Sequence, residues 1–241
     1  MKSVKIIVSI VSLFLLLTLI VYGVWQFSKS RTHQLFGEFY PRVETSDSLV
    51  ALTFDDGPSP AYTDEVIEIL KSRDVDATFF LTGSELQKYP EGGEKLVDAG
   101  HILGNHSYSH SQMVLKSMKF IRTEIEITDS LIQAAGYNGE IYFRPPYGKR
   151  LVGLPWYLKR NNRKTVMWDI EPESYSDIMD DSKKIRSHIS DNIRPGSIIL
   201  LHVMYKSRQA SRDALPGVID DLRAKGYTFV TIPQLLNISM N

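Results

Sequence analysis

From position 49 onward the chain alternates short apolar runs with amphipathic stretches, and each apolar run ends in polar residues. Runs that alternate with a period of two, or that are apolar throughout, predict strands at 49–54, 77–81, 101–104, 142–143, 165–168, 198–201 and 227–232. Apolar positions three and four apart predict the helices between them. Val66, Ile67 and Leu70 share one face of 63–71; 94–99 is closed by Gly100; Ile121, Ile125, Thr128 and Ile132 share a face of 120–135, before Gly136. Two further helices are predicted at 182–192 and 214–224. Strand–helix units repeated over this length predict an α/β fold, and seven strands favour a distorted (β/α)7 barrel of mostly parallel strands over an open doubly wound sheet. The sequence contains no glycine-rich phosphate loop and no internal repeat.

The N-terminus has a different pattern. From Ile6 to Trp25 it is almost unbroken apolar sequence without a charge, long enough as a helix to cross a hydrocarbon core of roughly 30 Å. A cleaved signal peptide is the alternative to an anchor, but no A-x-A-like site follows, Val21-Tyr22-Gly23 is a poor match, and the run exceeds a usual signal core. An uncleaved anchor is therefore expected over residues 1–27, with secretion after cleavage as the alternative. Lys2 and Lys5 precede the run and Lys29 and Arg31 follow it, so flanking charge alone does not orient it. Residues 28–48 are polar, lack periodicity and contain Pro41, and are expected to form a juxtamembrane linker before a domain over 49–241.

Composition narrows the chemistry. Lys and Arg number 28 against 28 Asp and Glu, so no electrostatic case for a nucleic-acid partner arises. Cysteine is absent, which excludes disulfides, thiolate metal sites and a cysteine nucleophile, and leaves any metal to His, Asp or Glu.

The apolar run Leu49-Val50-Ala51-Leu52-Thr53-Phe54 ends abruptly in Asp55-Asp56-Gly57-Pro58. Adjacent carboxylates at the carboxyl end of a strand repel unless a cation compensates one of them. Taken alone, the pair favours an Asx turn capping a helix that begins near Ala61. His106 and His110, four residues apart after the next-but-one strand, have metal-ligand spacing, although an isolated H-x-x-x-H is more often two surface histidines. Two imidazoles and one carboxylate leave a fourth position for water, as in hydrolytic zinc sites, and Asp56 is an available carboxylate. Arg144 heads a stiff Pro145-Pro146 turn and can hold an acid; Tyr147 then supplies the first backbone N–H after the two prolines. His202 ends the apolar strand 198–201, where a lone histidine is usually a packed rim residue.

Taken together and in order, these segments resemble the polysaccharide deacetylase family, also called the NodB-homology or carbohydrate esterase family 4 domain. The resemblance runs from about Leu49 to Leu236. Thr53-Phe54-Asp55-Asp56-Gly57-Pro58 matches the first motif, which makes Asp55 the catalytic base and Asp56 a metal ligand. His106-Ser107-Tyr108-Ser109-His110 matches the second, which supplies the two metal histidines. Arg144-Pro145-Pro146-Tyr147 matches the third, whose arginine orients the base and whose tyrosine N–H joins the oxyanion hole. Leu200-Leu201-His202 matches the fifth, with Leu200 lining the acetyl pocket and His202 as general acid.

The fourth motif departs from the family's acid, two variable residues, then Asp-Trp: in Trp168-Asp169-Ile170-Glu171-Pro172-Glu173-Ser174-Tyr175, Ser174 and Tyr175 occupy the Asp-Trp positions. Glu171 stands at the motif's first acid and is expected to support His202, with Glu173 having little effect; Tyr147, Trp168, Leu200 and Tyr175 are expected along the substrate groove. The resemblance implies hydrolysis of N-acetyl groups on a polysaccharide with one divalent metal, zinc first and cobalt or nickel admitted by the same donors. Peptidoglycan or another N-acetylated surface glycan suits an anchored enzyme facing outward, with chitin, xylan and exported polysaccharide open. The rival reading is an anchored carbohydrate-binding or structural domain whose turnover was lost with the fourth motif.

Overall fold

The computed structural model describes residues 1–238; positions 239–241 of the expected 49–241 domain lie outside the described residues. The apolar N-terminal run is one helix, α1 (Lys2–Ser28), whose stretch Val4–Ser28 is long and apolar enough to span a membrane; its apolar side chains from Val4 to Trp25 are exposed, and its last residue, Ser28, is buried against the domain. After it come β1 (Phe39–Tyr40), β2 (Leu49–Asp55), α2 (Thr63–Lys71), β3 (Thr78–Leu81), α3 (Gly83–Lys88), α4 (Pro90–Asp98), β4 (Ile102–Asn105), α5 (Met118–Ala134) and α6 (Gly153–Arg160). The order continues with β5 (Thr165–Val166), α7 (Ser182–Asn192), β6 (Ile198–His202), α8 (Gln209–Ala224), β7 (Thr228–Phe229) and α9 (Ile232–Ile238).

The sheet runs β4-β3-β2-β6, all parallel, with β7 pairing the start of β2 and β1 pairing β5. Single bridges close the ring: Asn105 to Phe143, Phe143 to Thr165, and Ile170 to Ile199. This is the expected distorted barrel of parallel strands, closed by bridges where full ladders were expected. The strand expected at 142–143 is reduced to the bridges of Phe143, and β1 stands in the stretch expected to be linker.

Alternation along the strands divides the core in two. Val50, Leu52 and Phe54 of β2, with Ile199 and Leu201 of β6, face outward into the layer formed by α2, α7 and α8. Ala51 of β2 and Ile198 and Leu200 of β6 face inward with Phe80, Tyr142, Met167 and Trp168, and Leu235 and Leu236 of α9 close that inner cluster. Each large apolar side chain buried in this way contributes about 1.5–3 kcal/mol, enough in sum to fix the register. The register is what matters for chemistry: it pairs Asp55 with His202 across β2 and β6, on the inward set and at the carboxyl ends of both strands.

Residues 28–48 are folded onto the barrel and are not a free linker. Besides β1, the Val43 N–H donates to the Gly196 carbonyl at 3.0 Å and the Val43 side chain is buried. Gly196 lies at φ +76, and a Cβ there would fall 1.8 Å from the Val43 carbonyl oxygen, so only glycine permits this approach. Buried Arg150 clamps the preceding stretch: its N–H donates to the Ser28 carbonyl at 3.0 Å, and its Nη2 to the His33 carbonyl at 2.9 Å.

Candidate active site

The expected site residues converge on the carboxyl rim of the barrel. Asp55, Asp56, His106, His110, Tyr147, Trp168, Glu171, Leu200 and His202 line one cavity of about 400 Å³, within the size range of small-ligand sites. Asp56, His110 and Tyr147 all have positive φ (72, 55 and 58), a conformation costly for non-glycine residues, and their clustering at one rim marks backbone held for function.

Asp55 is buried between the Arg144 guanidinium and the His106 imidazole. Its Oδ1 accepts from Arg144 Nη1 at 2.6 Å and its Oδ2 lies 3.5 Å from His106 Nε2. Burial alone would raise its pKa, but the charges of Arg144, His106 and His202 outweigh burial and hold the carboxyl below its ordinary value. Arg144 is itself fully enclosed and held in one orientation. Nη1 also donates to Thr53 Oγ1 at 2.9 Å, Nε to the Val166 carbonyl at 3.2 Å and Nη2 to the Met167 carbonyl at 2.9 Å, and the guanidinium lies 4.0 Å from the centre of the Phe80 ring. A solvent-facing arginine on a proline turn is thereby ruled out.

Asp56, His106 and His110 each offer a ligand atom, all within 4.8 Å of one another. His106 Nδ1 is bonded to the Arg144 carbonyl at 2.8 Å, which makes it the protonated nitrogen and leaves Nε2 with a lone pair toward the site. Oδ1 of Asp56 is enclosed with no hydrogen-bond donor and lies 3.6 Å from His110 Nε2. A buried carboxylate oxygen without a donor, facing two imidazoles, fits a divalent cation with N and O ligands.

His202 stands opposite. Its Nδ1 meets Glu173 Oε2 at 2.5 Å, its backbone N–H donates to both carboxylate oxygens of Glu173, and Ser211 Oγ donates to Glu173 Oε1. Burial works to lower its pKa, but the Glu173 bond and charge, with Asp55 and Asp56, raise it to about 9. Glu171 is therefore not the acid on His202, contrary to the expectation from its motif position. It accepts from Arg31 Nη2 at 2.5 Å, Trp168 Nε1 at 3.0 Å and Ser174 Oγ at 2.5 Å. The reason lies in the 3-10 turn Pro172–Ser174, which breaks strand alternation and swings Glu173 inward. Tyr175 is corrected as well: it is absent from the cavity wall and its half-exposed ring packs on His188 at 4.9 Å. Arg31, Tyr205 and Arg208 line the cavity without having been expected there, since no motif or periodicity marks them.

The sequence pattern of the polysaccharide deacetylase family matches residues 42–166. The chain belongs to the polysaccharide deacetylase family. Two curated members of this deacetylase family show the extent of the similarity. A peptidoglycan-N-acetylglucosamine deacetylase of Bacillus cereus is 35% identical over 192 residues, covering 79% of this chain and 69% of that protein. The peptidoglycan-N-acetylmuramic acid deacetylase PdaA of Bacillus subtilis is 30% identical over 230 residues, covering 88% of this chain and 85% of that one. A crystal structure of a peptidoglycan N-acetylglucosamine deacetylase superposes with a TM-score of 0.77 at 32% identity, over 82% of this chain and 92% of that one. The deacetylase first motif, Asp55-Asp56, falls inside the matched span, whereas His202 and its partner Glu173 fall beyond it and are placed by the structure.

Proposed function

We propose that this chain is a membrane-anchored, metal-dependent N-deacetylase acting on peptidoglycan. The observation that carries the reading is the opposition of two prepared groups across one cavity: Asp55 between Arg144 and His106, and His202 on Glu173. Asp56, His106 and His110 would hold the metal, zinc first and cobalt or nickel next, which when bound supplies Lewis-acid polarisation of the acetamido carbonyl and a more acidic water. Asp55, ionised and aimed by Arg144, takes the proton of the attacking water. The Tyr147 backbone N–H, presented by the rigid Pro145-Pro146 turn, donates to the developing oxyanion. His202 is protonated at neutral pH and gives its proton to the departing amine nitrogen, so acetate and a free amino sugar result. Leu200, on the inner face of β6, forms the apolar wall for the acetyl methyl group, and the Trp168 indole stands beside it.

The complete His202–Glu173 pair supports turnover over a purely binding role. The full chain in detergent with added zinc is expected to release acetate from N-acetylated peptidoglycan, and a chelator to abolish the release. Metal content should fall to near background in His106→Ala and His110→Ala. A folded, zinc-loaded chain that releases no acetate from peptidoglycan, chitooligosaccharide or acetylated xylan would overturn the reading; preference for one of the latter two would redirect it.

The anchor has its own support. Trp25, near the end of α1, carries Lys29 and Lys149 over its ring at 5.1 and 5.0 Å, the aromatic and basic pairing found where helices leave a bilayer. The catalytic domain is expected outside the cytoplasm. Protease added to spheroplasts should digest the domain while the chain retains residues 1–27. A mature soluble form beginning after Trp25 would show cleavage of a leader instead.

A further inference from the structure

The other charged side chains on the wall of the catalytic cavity have partners: Asp55 has Arg144, Glu171 has Arg31, His202 has Glu173, and Asp56 faces His110. Arg208 does not. It ends the short turn Lys206–Arg208 between β6 and α8, and it lines the same cavity. Its Nη1 is enclosed without a hydrogen-bond acceptor, and among the described residues its guanidinium forms no ion pair. An enclosed guanidinium N–H without an acceptor is unfavourable in the free protein and is relieved when a ligand supplies one. The enclosed Nη1 calls for an acceptor, and the charge it carries favours an anionic one. The cavity already holds Asp55, Asp56 and Glu171, so a planar, singly charged group is repelled less than a doubly charged phosphate and matches the guanidinium fork.

We infer that Arg208 is a specificity-determining residue that donates to a carboxylate on the substrate. The cavity measures only about 400 Å³, so that carboxylate belongs to the sugar being deacetylated or to its immediate neighbour. The substrate is thus an acidic amino sugar, such as an N-acetylhexosamine bearing a lactyl ether, and not a wholly neutral glycan. The inference rests on the deacetylase reading for the identity of the sugar, and on Arg208 alone for the charge.

The test uses the full chain in detergent with chelator present, so that nothing turns over, and two N-acetylated oligosaccharides identical except that the lactyl carboxylate is free in one and methyl-esterified in the other. Calorimetry is expected to show the acid bound about 10- to 100-fold tighter than the ester, the range of a charge-assisted hydrogen bond. Arg208→Met should remove that preference by weakening the acid, Arg208→Lys should restore part of it, and the thermal midpoint of Arg208→Met should equal or exceed that of the parent. Equal binding of acid and ester by the parent chain would overturn the inference. So would an equal loss for both ligands in Arg208→Met with a lowered midpoint, which is the mark of a structural arginine. Acetate release after zinc is restored is read separately. Charge discrimination in binding without acetate release keeps Arg208 and overturns the deacetylase reading; acetate release without discrimination does the reverse.

Discussion

Asp55→Asn is expected to bind metal as the parent does and to lose turnover by about 10³-fold or more, because proton abstraction and orientation of the water disappear together. The prediction follows from the division of labour between two adjacent acids. Asp55 spends one oxygen on Arg144 at 2.6 Å, whereas Asp56 keeps an enclosed oxygen without a donor and sits within the Asp-His-His group. Asp56→Asn should therefore show the opposite pattern, with metal lost and the base intact. Asp55→Asn also leaves Arg144 fully buried without its counter-charge, which costs stability by about 3 kcal/mol or more. Thermal unfolding of the metal-loaded variant should register that cost and confirm that the protein assayed is folded. Near-normal turnover in folded Asp55→Asn, or tight metal binding in Asp56→Asn, would reverse or dissolve the assignment.

What the sequence makes legible is what strand alternation and strand ends carry. β2 and β6 end in Asp55 and His202, Thr82 and His106 follow directly on β3 and β4, and three of these four are chemical groups of the site. The helices with one clean apolar face, α2, α5 and α7, lie within two residues of where their periodicity puts them. Elements made by tertiary contact are not visible in the same way. β1 has two residues and exists because β5 pairs with it; Val43 is buried because Gly196 lets the backbone approach. Arg31 and Arg208 reach the cavity from segments without periodicity, and an arginine on the surface reads the same as one on a cavity wall until the fold is known.

Glu173 illustrates the limit most sharply and supplies the second large effect. Two-residue alternation puts Asp169, Glu171 and Glu173 on one face, and motif position then selects Glu171. The 3-10 turn Pro172–Ser174 defeats that inference, since a turn of three residues rotates Glu173 away from the face of Glu171 and onto His202. Glu173→Gln removes the bond and charge that do most to raise His202 to about 9, leaving burial, which pushes the imidazole downward, opposed only by the charges of Asp55 and Asp56. The sign follows directly. A general acid must be protonated, so the parent is active at neutral pH and loses activity as pH rises through the His202 pKa. In Glu173→Gln that loss begins lower, near or below the ordinary histidine value of about 6.5, so turnover at pH about 8 falls by roughly 10²-fold. Metal content should be unchanged, because Glu173 is no part of the Asp-His-His group. Glu171→Gln, which loses the bond from Arg31 at 2.5 Å, should leave the basic limb where it is. Measured pH profiles of the two variants separate the assignments: an unmoved limb in Glu173→Gln with a shifted one in Glu171→Gln would return the role to Glu171, and no shift in either would remove His202 from the proton transfer to the amine.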